Sequence, residues 1–129
     1  MNTSFIRIVA VICVAMLSIL NVNNALAGNY TWTGSANKNW NNSANWSPSG
    51  TPSSNDTVTI GTGSDTLLIA ANTTINRLVI SGRVVNLGGY QLEINQRASL
   101  NGGKIYNGTL KMRGTYAFFQ GTNTNCTID

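Results

Sequence analysis

The sequence has no histidine, only four acidic residues and only two cysteines among its 129 residues. Without histidine, the commonest general base and the commonest metal ligand are both missing. Asp56 and Asp65 could meet around a glycine-rich turn, but Asp56 is better explained as a turn or strand-entry residue. Glu93 takes an outward position in Gln91–Ile94, where we expect solvent. We therefore predict a protein that is not an enzyme, with no catalytic residue, no cofactor and no metal site.

Long apolar runs are also scarce, and the longest is at the N-terminus. Ile8–Leu20 is apolar except for Ser18, follows Arg7, and precedes the small-x-small triplet Ala25–Ala27. This is the order of a secretory signal, and the run is shorter than the ~20 residues of a membrane-spanning helix. We predict that residues 1–27 form a helical, cleavable signal peptide. The product would lie in the periplasm, at the cell surface or outside the cell, with no membrane span.

Removal of residues 1–27 would leave seven basic and four acidic residues, a net charge of +3. The basic residues are spread along the chain without a dense patch, so we predict no nucleic-acid partner. Cys13 would leave with the signal peptide, and Cys126 would then have no intramolecular partner.

Two compositions divide the rest of the chain. Residues 28–56 contain all three tryptophans, both prolines and many asparagines, whereas residues 57–129 contain short apolar runs separated by glycine and asparagine. Four segments alternate apolar and polar residues with the period of a half-buried strand: 57–60, 77–80, 91–94 and 109–112. Weaker segments lie at 66–69, 83–87, 98–100 and 104–106. Helix is not expected after Ala27, because no segment sustains a period of 3.6 residues.

The spacing of the strands selects among all-β architectures. If Val58, Leu78, Leu92 and Leu110 are equivalent, successive repeats are 20, 14 and 18 residues long. Repeats of this length, with very short strands and frequent corners, favour a β-solenoid over a sandwich. We predict a short right-handed parallel β-helix over residues 57–129, in which equivalent apolar residues stack into one column.

A solenoid needs a cover on its first coil, because an open end exposes apolar side chains and unpaired strand edges. Residues 28–56 are predicted to form this Trp/Asn-rich N-terminal cap. The alternative is a small carbohydrate-binding module, since aromatic rings among amides are what sugar stacking uses. Its candidate binding residues are Tyr30, Trp32, Trp40 and Trp46.

One pattern runs through residues 32–60: Trp32-x-Gly34, Asn39-Trp40, Asn45-Trp46, Pro52, Asp56-x-Val58-x-Ile60. This pattern and the segments that follow it resemble the start of β-helical regions in large bacterial surface and secreted proteins. These are autotransporter passenger domains and haemagglutinin- or adhesin-like proteins, and the resemblance extends from Tyr30 to about Gly121. It implies a structural or adhesive scaffold with glycans or cell-surface components as partners. A polysaccharide-active enzyme is a third alternative. The resemblance also suggests a fragment truncated at its C-terminus, able to self-associate through its open last coil.

Overall fold

Strands form where the sequence places apolar residues at every second position. A computed structural model describes residues 26–114 in full and the strand backbone at 116–123 and 126–128. Residues 1–25 of the predicted signal peptide and the side chain of Cys126 lie outside the described residues. The strands are β1 (Asn29–Trp32), β2 (Trp46–Ser47), β3 (Thr57–Ile60), β4 (Thr66–Leu68), β5 (Thr73–Ser81), β6 (Val84–Asn86), β7 (Gln91–Tyr106), β8 (Gly108–Met112), β9 (Tyr116–Asn123) and β10 (Cys126–Ile128).

The predicted all-β class is confirmed for the described residues. Their only helical element is a three-residue 3-10 turn, Ser43–Asn45, which precedes β2. None of the helices found among the described residues is long and apolar enough to cross a membrane. The four predicted alternating segments and the four weaker ones all coincide with observed strands, although β7 joins three of the eight without interruption.

The described strands form one mixed sheet in which β1 and β2 are antiparallel and every other pair is parallel. Its main path is β10-β8-β7-β5-β3-β1-β2, while β4, β6 and β9 join through β7. From β3 onward, paired residues on neighbouring parallel strands are 18 to 20 positions apart, as in Leu78 with Ala98 and Leu92 with Leu110. After each such stretch, the chain thus pairs in parallel with the strand that it formed one stretch earlier.

The core lies on one face of these strands. In β3 the residues Val58 and Ile60 are buried while Thr57 and Thr59 are half-buried, and residues 77–80 of β5 and 97–100 of β7 repeat this alternation. A set of branched aliphatic side chains therefore stacks from strand to strand: Val58, Ile60, Leu67, Ile69, Ile75, Leu78, Ile80, Val85, Leu87, Leu92, Ile94, Leu100, Ile105 and Leu110. Burial of this apolar area is the main stabilising term of the fold.

The predicted single column of equivalent residues is wrong at its middle step. Val58 does pair with Leu78, and Leu92 with Leu110, but Leu78 pairs with Ala98 and Leu92 pairs with Thr73. The reason is that one stretch of 18 to 20 residues passes through several short strands. Leu78 and Leu92 belong to different strands of the same stretch and so to different columns.

Asparagine and glycine form the predicted corners. Asn107 adopts a left-handed conformation with φ of 60°, and its side-chain Nδ2 donates to Asn86 Oδ1 at 3.0 Å. Asn86 Oδ1 also accepts from the Gly88 amide at 2.9 Å. Corners of adjacent strands are therefore held together by amide side chains, which tolerate both the turn geometry and partial solvent exposure.

Candidate functional site

The four aromatic residues considered for sugar binding lie together, with the indoles in the interior. Trp32, Trp40 and Trp46 are 4%, 1% and 3% exposed, and Tyr30 is partly buried against them. Trp46 is central: its ring centroid lies 4.7 Å from that of Trp40 and 5.0 Å from that of Trp32, both edge-on. Sugar stacking needs an exposed ring face, and in this arrangement the three indoles offer none.

Asn45 organises the loop around this aromatic cluster. Its Oδ1 accepts from the Ala36 and Asn37 amides, both at 2.9 Å, and its Nδ2 donates to Asn37 Oδ1 at 2.8 Å and Asn39 O at 2.9 Å. Asn45 itself is completely buried, and its four hydrogen bonds join it to more exposed residues of the loop. The loop therefore depends on an amide at this position, because an amide can accept two hydrogen bonds and donate two through one short side chain.

Asp56 is a buried carboxylate at the entry to β3. Its Oδ1 accepts from the Gly28 amide at 2.6 Å, and its Oδ2 accepts from the Ser53 amide at 2.7 Å and the Ser53 hydroxyl at 2.8 Å. Burial raises the pKa of Asp56, but these three hydrogen bonds outweigh it and hold the pKa below its ordinary value. Asp56 therefore acts as an ionised anchor between residue 28 and the turn before β3, and it does not meet Asp65.

The other two acids of the described region form ion pairs. Asp65 pairs with Arg83, whose guanidinium also donates to Gly61 O at 3.2 Å and Thr62 O at 2.8 Å. Glu93 pairs with Arg113 at 2.5 Å and is only 8% exposed. Our expectation of a solvated Glu93 is thus wrong. The side chain of Arg113, at the end of the next strand β8, covers it.

Because these acids are engaged, part of the basic charge has no acidic partner among the described residues. Arg77 and Arg97 are paired positions on β5 and β7, follow Thr57 of β3, and are both exposed. No described carboxylate lies within ion-pair distance of either guanidinium. Paired residues on neighbouring strands are separated by about 4.8 Å, so the two like charges repel each other.

The two arginines border an open groove of about 300 Å³ on the outer face of the sheet. We call it the cationic groove, and its lining residues are Thr57, Arg77, Leu78, Val79, Arg97 and Ser99. Val79, 37% exposed, provides an apolar surface beside the two cations. A groove with two guanidinium groups, two hydroxyls and an apolar patch is suited to an anionic ligand that also carries hydroxyls.

Sequence reasoning did not identify this groove, because it treated the basic residues as dispersed. Arg77 and Arg97 are 20 positions apart, the same interval that separates Val58 from Leu78. Applying that interval to the charged residues as well as to the apolar ones would have brought the two arginines together.

Among the described residues no group of three or more histidine, cysteine or acidic side chains is placed to hold a metal ion. A family model described as "Domain of unknown function (DUF8693)" matches residues 31–127. The match includes the aromatic cluster, Asp56 and the cationic groove. No curated protein matches the chain significantly. The same is true of the solved structures.

Proposed function

The chain belongs to this family, DUF8693, and we propose that it is a non-enzymatic, exported structural protein of the adhesin type, built as a short right-handed parallel β-helix. The observation that carries this proposal is the parallel, in-register return of the chain every 18 to 20 residues, with aliphatic side chains stacked inside. Parallel crossover connections within one sheet are right-handed in about 98% of cases, which supports the proposed hand. In such a scaffold, the side chains on the outer face of the sheet are held at the regular spacing of its strands.

Residues 28–56 serve as the N-terminal cap of this scaffold. The parallel pairing of β1 with β3 and the antiparallel pairing of β1 with β2 cover the edge of β3. The indoles of Trp32, Trp40 and Trp46 fill the adjoining interior. Covering the first edge in this way prevents pairing with strands of other chains.

Export is supported by the apolar run and the small-x-small triplet that ends at Ala27. The test is expression of the full chain in a bacterium, followed by fractionation and intact-mass measurement. We expect a product outside the cytoplasm that has lost residues 1–27. This loss of mass should disappear in Ala27→Tyr, because the last residue before the cleaved bond must be small, and it should persist in Leu26→Tyr. An unprocessed cytoplasmic product contradicts the proposal.

A specific observation favours a second function for the same scaffold, the binding of anionic glycans in the cationic groove. Arg77 and Arg97 lie side by side without a described acidic partner, and Thr57 and Ser99 supply hydroxyls next to them. A sulfate or carboxylate on a polysaccharide would relieve the repulsion between the two guanidinium groups. Binding of a neutral sugar by the indoles has no such support, because their faces are buried.

Retention on immobilised dextran sulfate, with neutral dextran as the comparison, tests this second function. We expect the double variant Arg77→Gln/Arg97→Gln to bind at least about tenfold more weakly than the parent. Lys38→Gln/Lys111→Gln removes the same net charge elsewhere and should weaken binding much less. Equal losses in both double variants would mean that only net charge matters and that the groove is not a site.

A further inference from the structure

Residue 28 lies at a boundary between exposed chain and folded domain. Leu26 is 92% exposed and Ala27 is also exposed, whereas Gly28 is half-buried and is held at both of its backbone ends. Its amide nitrogen donates to Asp56 Oδ1 at 2.6 Å, and its carbonyl oxygen accepts from the Thr57 amide at 2.9 Å. Among the described residues, the nitrogen atom of Gly28 is thus the first that is hydrogen-bonded to the β-sheet domain.

The Asp56 carboxylate, which accepts the hydrogen bond from that nitrogen, is held in place by other residues. Asp56 is 5% exposed, and Ser53 fixes its second oxygen by two hydrogen bonds. Oδ1 is left to face Gly28. A neutral amide supplies one donor and no charge, so in the uncleaved chain Oδ1 keeps an unused acceptor site and no described cation pairs with the carboxylate.

Glycine is the residue type that this position accommodates. A Cβ atom on residue 28 would lie 2.9 Å from Tyr30 Cε2 and 3.2 Å from Asp56 Oδ1. Both contacts are tighter than side chains normally make. The residue after the small-x-small triplet is thus the one whose nitrogen can approach the carboxylate closely.

We propose that the site formed by Asp56 and Ser53 binds the amino terminus that export processing creates at Gly28. The inference rests on the proposed export of the chain. An endopeptidase that cleaves after small residues would hydrolyse the Ala27–Gly28 bond. Water gives its hydroxyl to the Ala27 carbonyl carbon and a proton to the Gly28 nitrogen, which takes up a further proton from solvent. The products are a carboxylate on the released peptide and an ammonium group on Gly28.

This exchange replaces a neutral hydrogen bond by a charge-assisted one at the same atoms. Charge-assisted hydrogen bonds are roughly twice as strong as neutral ones, more so where water is excluded. The pair would fasten the start of β1 to the start of β3. Processing would therefore strengthen the attachment of the N-terminal cap, and Asp56 is the residue through which it does so.

The test compares a free with a blocked amino terminus on the processed protein. The full chain is expressed for export, the product is purified, and half of it is acetylated selectively at its α-amine near pH 6.5. Peptide mapping verifies that Gly28 carries the acetyl group. An acetylated Gly28 keeps the amide N–H of the uncleaved chain and lacks only the charge. Unfolding in denaturant is then measured for the parent, Asp56→Asn and Asp65→Asn.

In the parent and in Asp65→Asn, the free amine should lower the unfolding equilibrium constant by about tenfold relative to the acetylated form, which corresponds to a shift of one unit in the pKa of the bound amine. In Asp56→Asn the difference should fall to about twofold or less. An equal effect in the parent and Asp56→Asn, or none in either, overturns the inference. Intact mass separates the two proposals: cleavage at another bond, or no cleavage, overturns the export proposal and this inference together. Cleavage at Ala27–Gly28 without coupling overturns this inference alone.

Discussion

Asn45 shows how much of the cap depends on one side chain. It is completely buried, and its amide holds residues 36, 37 and 39 in one turn while its carbonyl oxygen accepts from the Thr33 amide at 2.7 Å. The sequence pattern of Asn-Trp pairs pointed to this region, but it did not distinguish Asn45 from the asparagines around it. Composition reveals that amides are abundant, whereas their roles depend on which amide the fold buries.

Asn45→Ala should lower the free energy of unfolding by about 3 kcal/mol, because the Ala36 and Asn37 amides and the Asn39 carbonyl lose a buried partner together. Denaturant unfolding followed by tryptophan fluorescence measures the change directly, since Trp46 is the next residue. Asn41→Ala is the matched control, because Asn41 is exposed. Similar losses in both variants would show that the amide of Asn45 does not organise the loop.

Asp56 leads to a prediction on pH. Its pKa in the folded protein lies below the ordinary value because three hydrogen bonds outweigh the effect of burial. A carboxylate of this kind stabilises the fold fully above its unfolded pKa of about 3.9, and the contribution is lost as the pH falls through the lower, folded pKa. The difference in unfolding free energy between the parent and Asp56→Asn should therefore be constant from pH 7 to 5 and shrink below about pH 4. A difference that grows on acidification would contradict the assignment.

At the scale of strands, the sequence predicted where strands form better than it predicted which strands pair. All eight predicted segments, four alternating and four weaker, lie in strands, and in the alternating ones the pattern directly reports which face of the strand is buried. The pairing of Leu78 with Ala98 was missed because a small residue in the core leaves little trace in an apolar pattern. The first part of β5, Thr73–Ile75, was missed for a related reason: Thr73 and Thr74 carry no apolar signal, although Ile75 is fully buried. Glu93 was misplaced because alternation does not record coverage by Arg113.

Engineered disulfides can check the observed register. In a Cys126→Ser background, Val79→Cys/Ser99→Cys should form an intramolecular disulfide, because the two positions are paired on adjacent strands and neighbouring strands are about 4.8 Å apart. Thr59→Cys/Ser99→Cys should not, because β5 lies between them and the separation of about 10 Å exceeds what a disulfide spans. Non-reducing mass spectrometry after mild oxidation gives the result. A disulfide in Val79→Cys/Glu93→Cys, and none with Ser99→Cys, would restore the register that equates Leu78 with Leu92.

At the scale of the whole molecule, the acidic side chains are engaged within the fold while part of the basic charge remains on its surface. The described acids are engaged by hydrogen bonds or by arginine, while Arg77 and Arg97 remain at the outer face of the sheet. The low content of acids was visible in the sequence. It also meant that any two basic residues brought together by the fold would lack a neutralising partner. The location of the cationic groove followed only from the strand register, which the composition does not contain.

The stacked strands also determine how the molecule responds to a defect in its core. Leu92 is completely buried and pairs with Thr73 on one side and Leu110 on the other, so a change there reaches three successive strands. Leu92→Asp removes a large apolar group and places an unpaired charge among aliphatic side chains. The expected loss is about 4 kcal/mol or more, which is most of the stability of a small domain.

Far-UV circular dichroism and denaturant unfolding of Leu92→Asp should accordingly show loss of the fold. Val79→Asp is the control, because it introduces the same charge on a neighbouring strand at a position that faces outward beside Arg77. That variant should keep the stability of the parent to within about 0.5 kcal/mol, the usual range for surface substitutions. If Leu92→Asp unfolds at the same denaturant concentration as the parent, the stacked column is not the core of the molecule. Since the pairings of β5 with β7 and of β7 with β8 align Thr73, Leu92 and Leu110 on that column, the β-helix proposed for this chain would then have to be abandoned.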